Sequence, residues 1–125
     1  MVAIKTRLKS ARKGDSIPAA GNGFQGMQAA ASRATDLLRS IGSAHRLAIL
    51  CLLLEGDKTV TELCAAIGAR QSLVSQHLTR LRLDGLVRAE RKGYFVCYSL
   101  TSLPAREIIG TLHKHFCSDS SAAKN

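Results

Sequence analysis

The chain has 125 residues with 18 Lys and Arg against 9 Asp and Glu, a net charge of +9 and a pI near 10.0, which suits a single domain with nucleic acid as partner, although a basic protein that binds none has the same balance. No apolar run is long enough to cross a bilayer, and Lys5, Arg7 and Lys9 break up the apolar residues that a secretory signal would need at the N-terminus. Four cysteines without a regular framework suggest free thiols in a reducing cytoplasm, and one domain of this size has a real core yet profits from a partner chain.

Residues 1–24 are expected to form a flexible basic tail, which either brushes DNA phosphates or only solubilises the chain. From Gln25 to Ile41, Met27, Ala30, Ala34, Leu37 and Ile41 repeat at helical spacing. Ser43 then caps a second helix, HRLAILCLLLEG, which is apolar on nearly every side and is expected to be buried. TVTELCAAIGA follows as a short helix with Val60, Leu63 and Ile67 inward, and Gly68-Ala69 supplies the turn of a helix-turn-helix.

The next helix starts at Gln71 and has two faces. Val74, Leu78 and Leu81 make an apolar stripe, while Ser72, Ser75, Gln76 and Thr79 recur on another side. Ser, Thr and Gln can reach base edges in a major groove, and Arg80 and Arg82 further along can grip phosphate; a plain solvated face is the alternative. Asp84-Gly85 closes the helix, because Gly tolerates a left-handed conformation. VRAERKGYFVCYSL then reads as a hairpin turning at Lys92-Gly93, with Arg91, Lys92 and Tyr94 at or near its tip. Leu103 to Cys117 makes the last helix, and residues 118–125 a polar tail.

The expected fold is therefore mainly α with a β-hairpin wing: a winged helix-turn-helix over 25–117. The first and last helices carry apolar stripes that suit a homodimer interface. A twofold dimer sets two recognition helices about 34 Å apart and reads an inverted repeat in double-stranded operator DNA.

The order of elements, with SAHRLAILCLLLEG, TVTELC, QSLVSQHLTRLRLDGLV and VCYSL, resembles the ArsR/SmtB family of dimeric winged-helix repressors over about residues 30–117. That resemblance implies DNA reading by Gln71, Ser72, Ser75, Gln76 and Arg80, and backbone contacts from Arg91, Lys92 and Tyr94. Arg70 departs from the helix-capping Ser that relatives often have there, and it cannot cap free N–H groups.

The family's inducers are metals, metalloids or reactive sulfur species. The metalloid-sensing members carry two cysteines in a run like ELCVCDL; here the run is ELCAAIG, so Cys64 is kept and Ala66 replaces the second ligand. The zinc-sensing pattern on the last helix is also incomplete: His113, His115 and Cys117 are present late, but Pro104, Ala105 and Arg106 stand where acidic and imidazole ligands would. His113 and Cys117 can begin a zinc site but lack two further ligands, so no metal and no cofactor is assigned, and a metal- or metalloid-responsive repressor remains the alternative.

Cys51 in LAILCLLLEG and Cys117 in LHKHFC match the positions and flanks of the paired cysteines in the family's persulfide-sensing branch. The resemblance implies that a low-molecular-weight persulfide or polysulfide joins them through a disulfide or longer bridge and so releases the operator. Taken alone, Cys51 also reads as a small core residue, as do Cys64 and Cys97. A thiol enzyme and a sequence-indifferent nucleoid binder are the rival classes. No C-x-x-C or phosphate-cradling loop supports an enzyme, and turnover of persulfide without DNA, or binding insensitive to oxidation, would identify one or the other.

Overall fold

The computed structural model describes residues 23–118, so the tails expected over 1–24 and 118–125 lie almost wholly outside the described residues. Two compact units divide after Arg39. The first contains α1 (Phe24–Ile41) as far as Arg39, close to the expected bounds. Phe24, Met27 and Leu38 on this helix are exposed, and Leu37 is half-buried.

The second unit begins with Ser40 and Ile41 and continues through α2 (Ala44–Glu55), β1 (Lys58–Thr59), α3 (Val60–Ile67), α4 (Gln71–Leu83), β2 (Val87–Lys92), β3 (Phe95–Leu100) and α5 (Leu103–Leu112). Ser43 caps α2 as expected, its hydroxyl accepting from the Arg46 N–H. The core gathers Ile49, Leu50 and Leu53 of α2, Leu63 of α3, Val74, Leu78 and Leu81 of α4, and Ile109 of α5. The sequence expects α2 to be buried all round. Instead Leu47, Ala48, Cys51 and Leu52 are only half-buried, because that side of the helix borders a groove.

α3 starts in a capping box. The Thr59 hydroxyl accepts from the Glu62 N–H at 3.1 Å, and Glu62 Oε1 accepts from the Thr59 N–H at 2.8 Å. Thr59→Ala is expected to lower stability by about 1 kcal/mol, seen as a lower urea midpoint; an unchanged midpoint would mean the box contributes nothing. Gly68 closes α3 with φ +78, and Arg70 precedes α4 without a side-chain cap.

α4 ends in a Schellman turn. The Leu86 N–H reaches the Leu81 carbonyl and the Gly85 N–H that of Arg82, each at 3.0 Å, with Gly85 at φ +82. Leu81 and Leu86 are both buried, which supplies the apolar contact that accompanies such turns. The chain then enters the sheet directly.

The sheet has three antiparallel strands in the order β1-β3-β2, not the two of a lone hairpin. β1 has two residues, too few for any alternation to show in the sequence. Lys92 pairs with Phe95, so the hairpin turns on Gly93-Tyr94, one residue later than expected, with Gly93 at φ +67. The last helix also differs from expectation. α5 stops at Leu112, and His113–Ser118 continue as a π-helical turn that carries Cys117.

Candidate functional site

The polar side of α4 is open. Gln71, Ser72, Gln76, Thr79 and Arg80 are exposed and Ser75 is half-buried, while Val74, Leu78 and Leu81 fix the opposite side into the core. The wing projects Arg91, Lys92 and Tyr94, with Tyr94 97% exposed at the turn. Arg91 Nη1 donates to the Gly93 carbonyl at 3.5 Å, and Lys92 lies 3.8 Å from Asp57. Both contacts are weak and exposed, so both cations remain available to an anionic partner. Phe95, beside the turn, is also exposed, and the sequence did not single it out.

Arg80 is held more firmly. Its Nε donates to Asp84 Oδ2 at 2.8 Å, and the same oxygen accepts from the buried Ser40 hydroxyl. The Ser40 carbonyl in turn accepts from Arg46 Nε at 2.6 Å. Ser40 and Asp84 are 44 positions apart, and nothing in the sequence signals their contact. His77, on the inward side of α4, lies 3.4 Å from Arg46 Nη1 and stacks on His45 with ring centroids 5.5 Å apart. Burial first, then Arg46 and His45, holds His77 below the ordinary imidazole value, so it is neutral near pH 7. It therefore packs α4 against α2 and presents no cation to a ligand.

Cys51 and Cys117 share a groove. α2 packs on α5, and the π-helical turn places Cys117 on the same groove as Cys51, near enough to act on its thiol. Cys117 is exposed and Cys51 half-buried. Burial is the main force pushing the Cys51 thiol up; the charge and hydrogen bond of Cys117 add to it, and the Glu55 carboxylate adds again. The pair is thus asymmetric, with an open sulfur beside one held protonated. Both border a groove of about 810 Å³ between α2, α3 and the π-helical turn.

The other thiols stand apart in the fold. Cys64 is half-buried on α3, and Cys97 is half-buried on β3 opposite Thr59 and Glu90. Among the described residues, no three His, Cys, Asp or Glu side chains converge to hold a metal ion. No single helix among them is long and apolar enough to cross a membrane.

Residues 43–89 match the family described as "Bacterial regulatory protein, arsR family". The chain is 37% identical over 94 residues to the transcriptional activator HlyU of Vibrio cholerae, spanning 75% of this chain and 87% of that protein. The structure of reduced HlyU from Vibrio cholerae is similar with a TM-score of 0.73, over 75% of this chain and 99% of that one. Identity to the biofilm growth-associated repressor of Xylella fastidiosa is 33% over 97 residues, or 78% of this chain and 85% of the relative. The crystal structure of the repressor BigR from Xylella fastidiosa, 33% identical, gives a TM-score of 0.69 over 74% of this chain and 95% of that one. With a winged helix-turn-helix, an open polar face on its second helix and these relatives, the chain belongs to the ArsR family of DNA-binding transcriptional regulators.

Proposed function

We propose that the protein is a homodimeric repressor whose operator binding is released when reactive sulfur species join Cys51 to Cys117. The observation that carries this reading is that the two thiols line one groove, Cys117 exposed and Cys51 half-buried. As thiolate, Cys117 attacks the outer sulfur of a persulfide R–S–SH and becomes Cys117–S–SH, and R–S⁻ leaves to take up a proton. Deprotonated Cys51 then attacks the inner sulfur of Cys117, closing the disulfide and expelling HS⁻. The two thiols are oxidised and the transferred sulfur leaves as sulfide. A further persulfide, acting before closure, lengthens the bridge.

The dimer reading is supported by the exposed apolar side chains of the first and last helices, Phe24, Met27 and Leu38 on α1 and Leu103 on α5. A bridge between α2 and the π-helical turn changes the geometry of the last helix. A dimer built on that helix then no longer holds its two α4 helices at the spacing of about 34 Å that successive major grooves demand. Operator titration before and after persulfide treatment tests the release.

On the DNA side, Gln71, Ser72, Ser75, Gln76 and Thr79 read base edges, Arg80 contacts the backbone or bases, and Arg91, Lys92 and Tyr94 hold the flanking backbone. Within the Arg80 guanidinium, Nε is the one nitrogen engaged by a described residue, Asp84. Asp84, buttressed by Ser40, therefore positions Arg80 and leaves its terminal amino groups for DNA. Ser40→Ala removes the buttress without changing charge, and it is expected to weaken operator binding by about threefold to tenfold, comparable with losing one modest hydrogen bond. In an Arg80→Ala background the same change is expected to have no effect on binding. Equal losses in both backgrounds would show that Ser40 acts on the fold and not through Arg80.

A further inference from the structure

The groove beside the thiol pair is lined mainly by hydrocarbon, including Leu47, Leu52, Ile67, Leu112 and Phe116. Its volume of about 810 Å³ falls within the range of small-molecule sites. Besides the two sulfurs, its polar groups are Glu55 and His113. The chain has 18 Lys and Arg, yet among the described residues none lines this groove. Glu55 lies one helical turn beyond Cys51, so the two side chains share a face of α2. Lys58 approaches Glu55 at 3.7 Å, but the carboxylate side chain is 61% exposed and the pair is correspondingly weak. A molecule arriving at the sulfurs therefore meets aliphatic walls, a carboxylate and the His113 imidazole, with no Lys or Arg among the described residues on the wall to receive an anion.

We propose that this groove binds the organic part of the incoming persulfide, and that it takes an uncharged aliphatic carrier in preference to an anionic peptide carrier. The inference rests on the sensor reading above. A glutathione-type carrier brings two carboxylates and one ammonium, and burying both carboxylates where His113 is the one side-chain N–H donor on the wall, among the described residues, is costly. Such a carrier has to react from solvent, at the exposed sulfur of Cys117, without using the groove. An alkyl chain gains by leaving water for the side chains of Leu47, Leu52 and Phe116. It also sets the outer sulfur of the persulfide beside Cys117 while the alkyl thiolate departs along the groove, taking a proton to leave as the thiol.

The test uses the full reduced chain and two probes, n-butyl persulfide and glutathione persulfide. Formation of the Cys51–Cys117 bridge is timed by acid quench and intact mass. Each rate is divided by that of the same reagent with the urea-unfolded chain, which removes intrinsic reactivity. The expected normalised preference for the butyl reagent is about tenfold or more, as a few partly buried methylenes supply. Two variants move the charge balance of the groove. Glu55→Gln removes its carboxylate, and Ala66→Lys adds a cation at an exposed helix position that tolerates Lys. Both are expected to cut the preference by at least about threefold, by raising the glutathione rate. Equal normalised rates in the wild-type protein, or a preference unchanged in both variants, overturn the inference while leaving the sensor reading in place. Failure of both reagents to bridge the thiols removes the sensor reading and this inference with it.

Discussion

Cys117→Ser is expected to keep its operator DNA after persulfide treatment, whereas the wild-type protein is expected to lose about tenfold or more in affinity, a coupling within the usual allosteric range. Cys51→Ser is expected to keep its operator equally well, but the two variants should differ in mass. In Cys51→Ser the exposed Cys117 still takes up sulfur and has nothing to close upon, so a persulfide accumulates. In Cys117→Ser the remaining thiol is half-buried and pushed up by burial and Glu55, so little sulfur adds. Anisotropy of a labelled duplex, selected from a random pool by the reduced protein, reads the binding; intact mass reads the sulfur. Cys64→Ser and Cys97→Ser leave the pair intact and should respond as the wild type does. A release that survives in Cys117→Ser would move the sensing elsewhere in the chain.

The second large effect is structural. Leu78 is fully buried in the middle of α4, between Val74 and Leu81 on the side that seats the helix. Leu78→Ala is expected to cost about 3 kcal/mol, within the range of about 2–5 found for such truncations. That is a large share of the roughly 5–15 kcal/mol that hold a typical domain together. Its neighbour Thr79 is exposed, and Thr79→Ala is expected to change stability by less than about 0.5 kcal/mol. Urea midpoints of the two variants make the comparison. Equal midpoints would contradict the division of α4 into a seated side and an open side.

That division was legible in the sequence because both periodicities run through one uninterrupted helix, from Gln71 to the Asp84-Gly85 stop. The wing was legible for a similar reason, although its turn falls one residue later than the Lys92-Gly93 signal suggests. Three features escaped. β1 is too short to show alternation, and its pairing with β3 is set by tertiary contact. The π-helical turn at His113–Ser118 has no compositional mark, yet it determines where Cys117 lies. The Ser40–Asp84–Arg80 contact joins residues distant in sequence, and a Ser near a helix end reads as nothing more than a small polar residue. The thiol pair is an intermediate case. Composition treats Cys51 as a core residue, family resemblance pairs it with Cys117, and the fold sets both on one groove.

The most direct measurement is paired titration and mass analysis of the wild-type protein. Reduced and persulfide-treated samples are titrated into the same selected duplex, and each is weighed intact. The expected result is weaker binding by the treated protein, together with a mass that lacks both thiol hydrogens or carries whole added sulfur atoms between Cys51 and Cys117 in the mapped peptides. Unchanged affinity in a fully bridged sample, or lost affinity in a sample with no Cys51–Cys117 bridge, would contradict it.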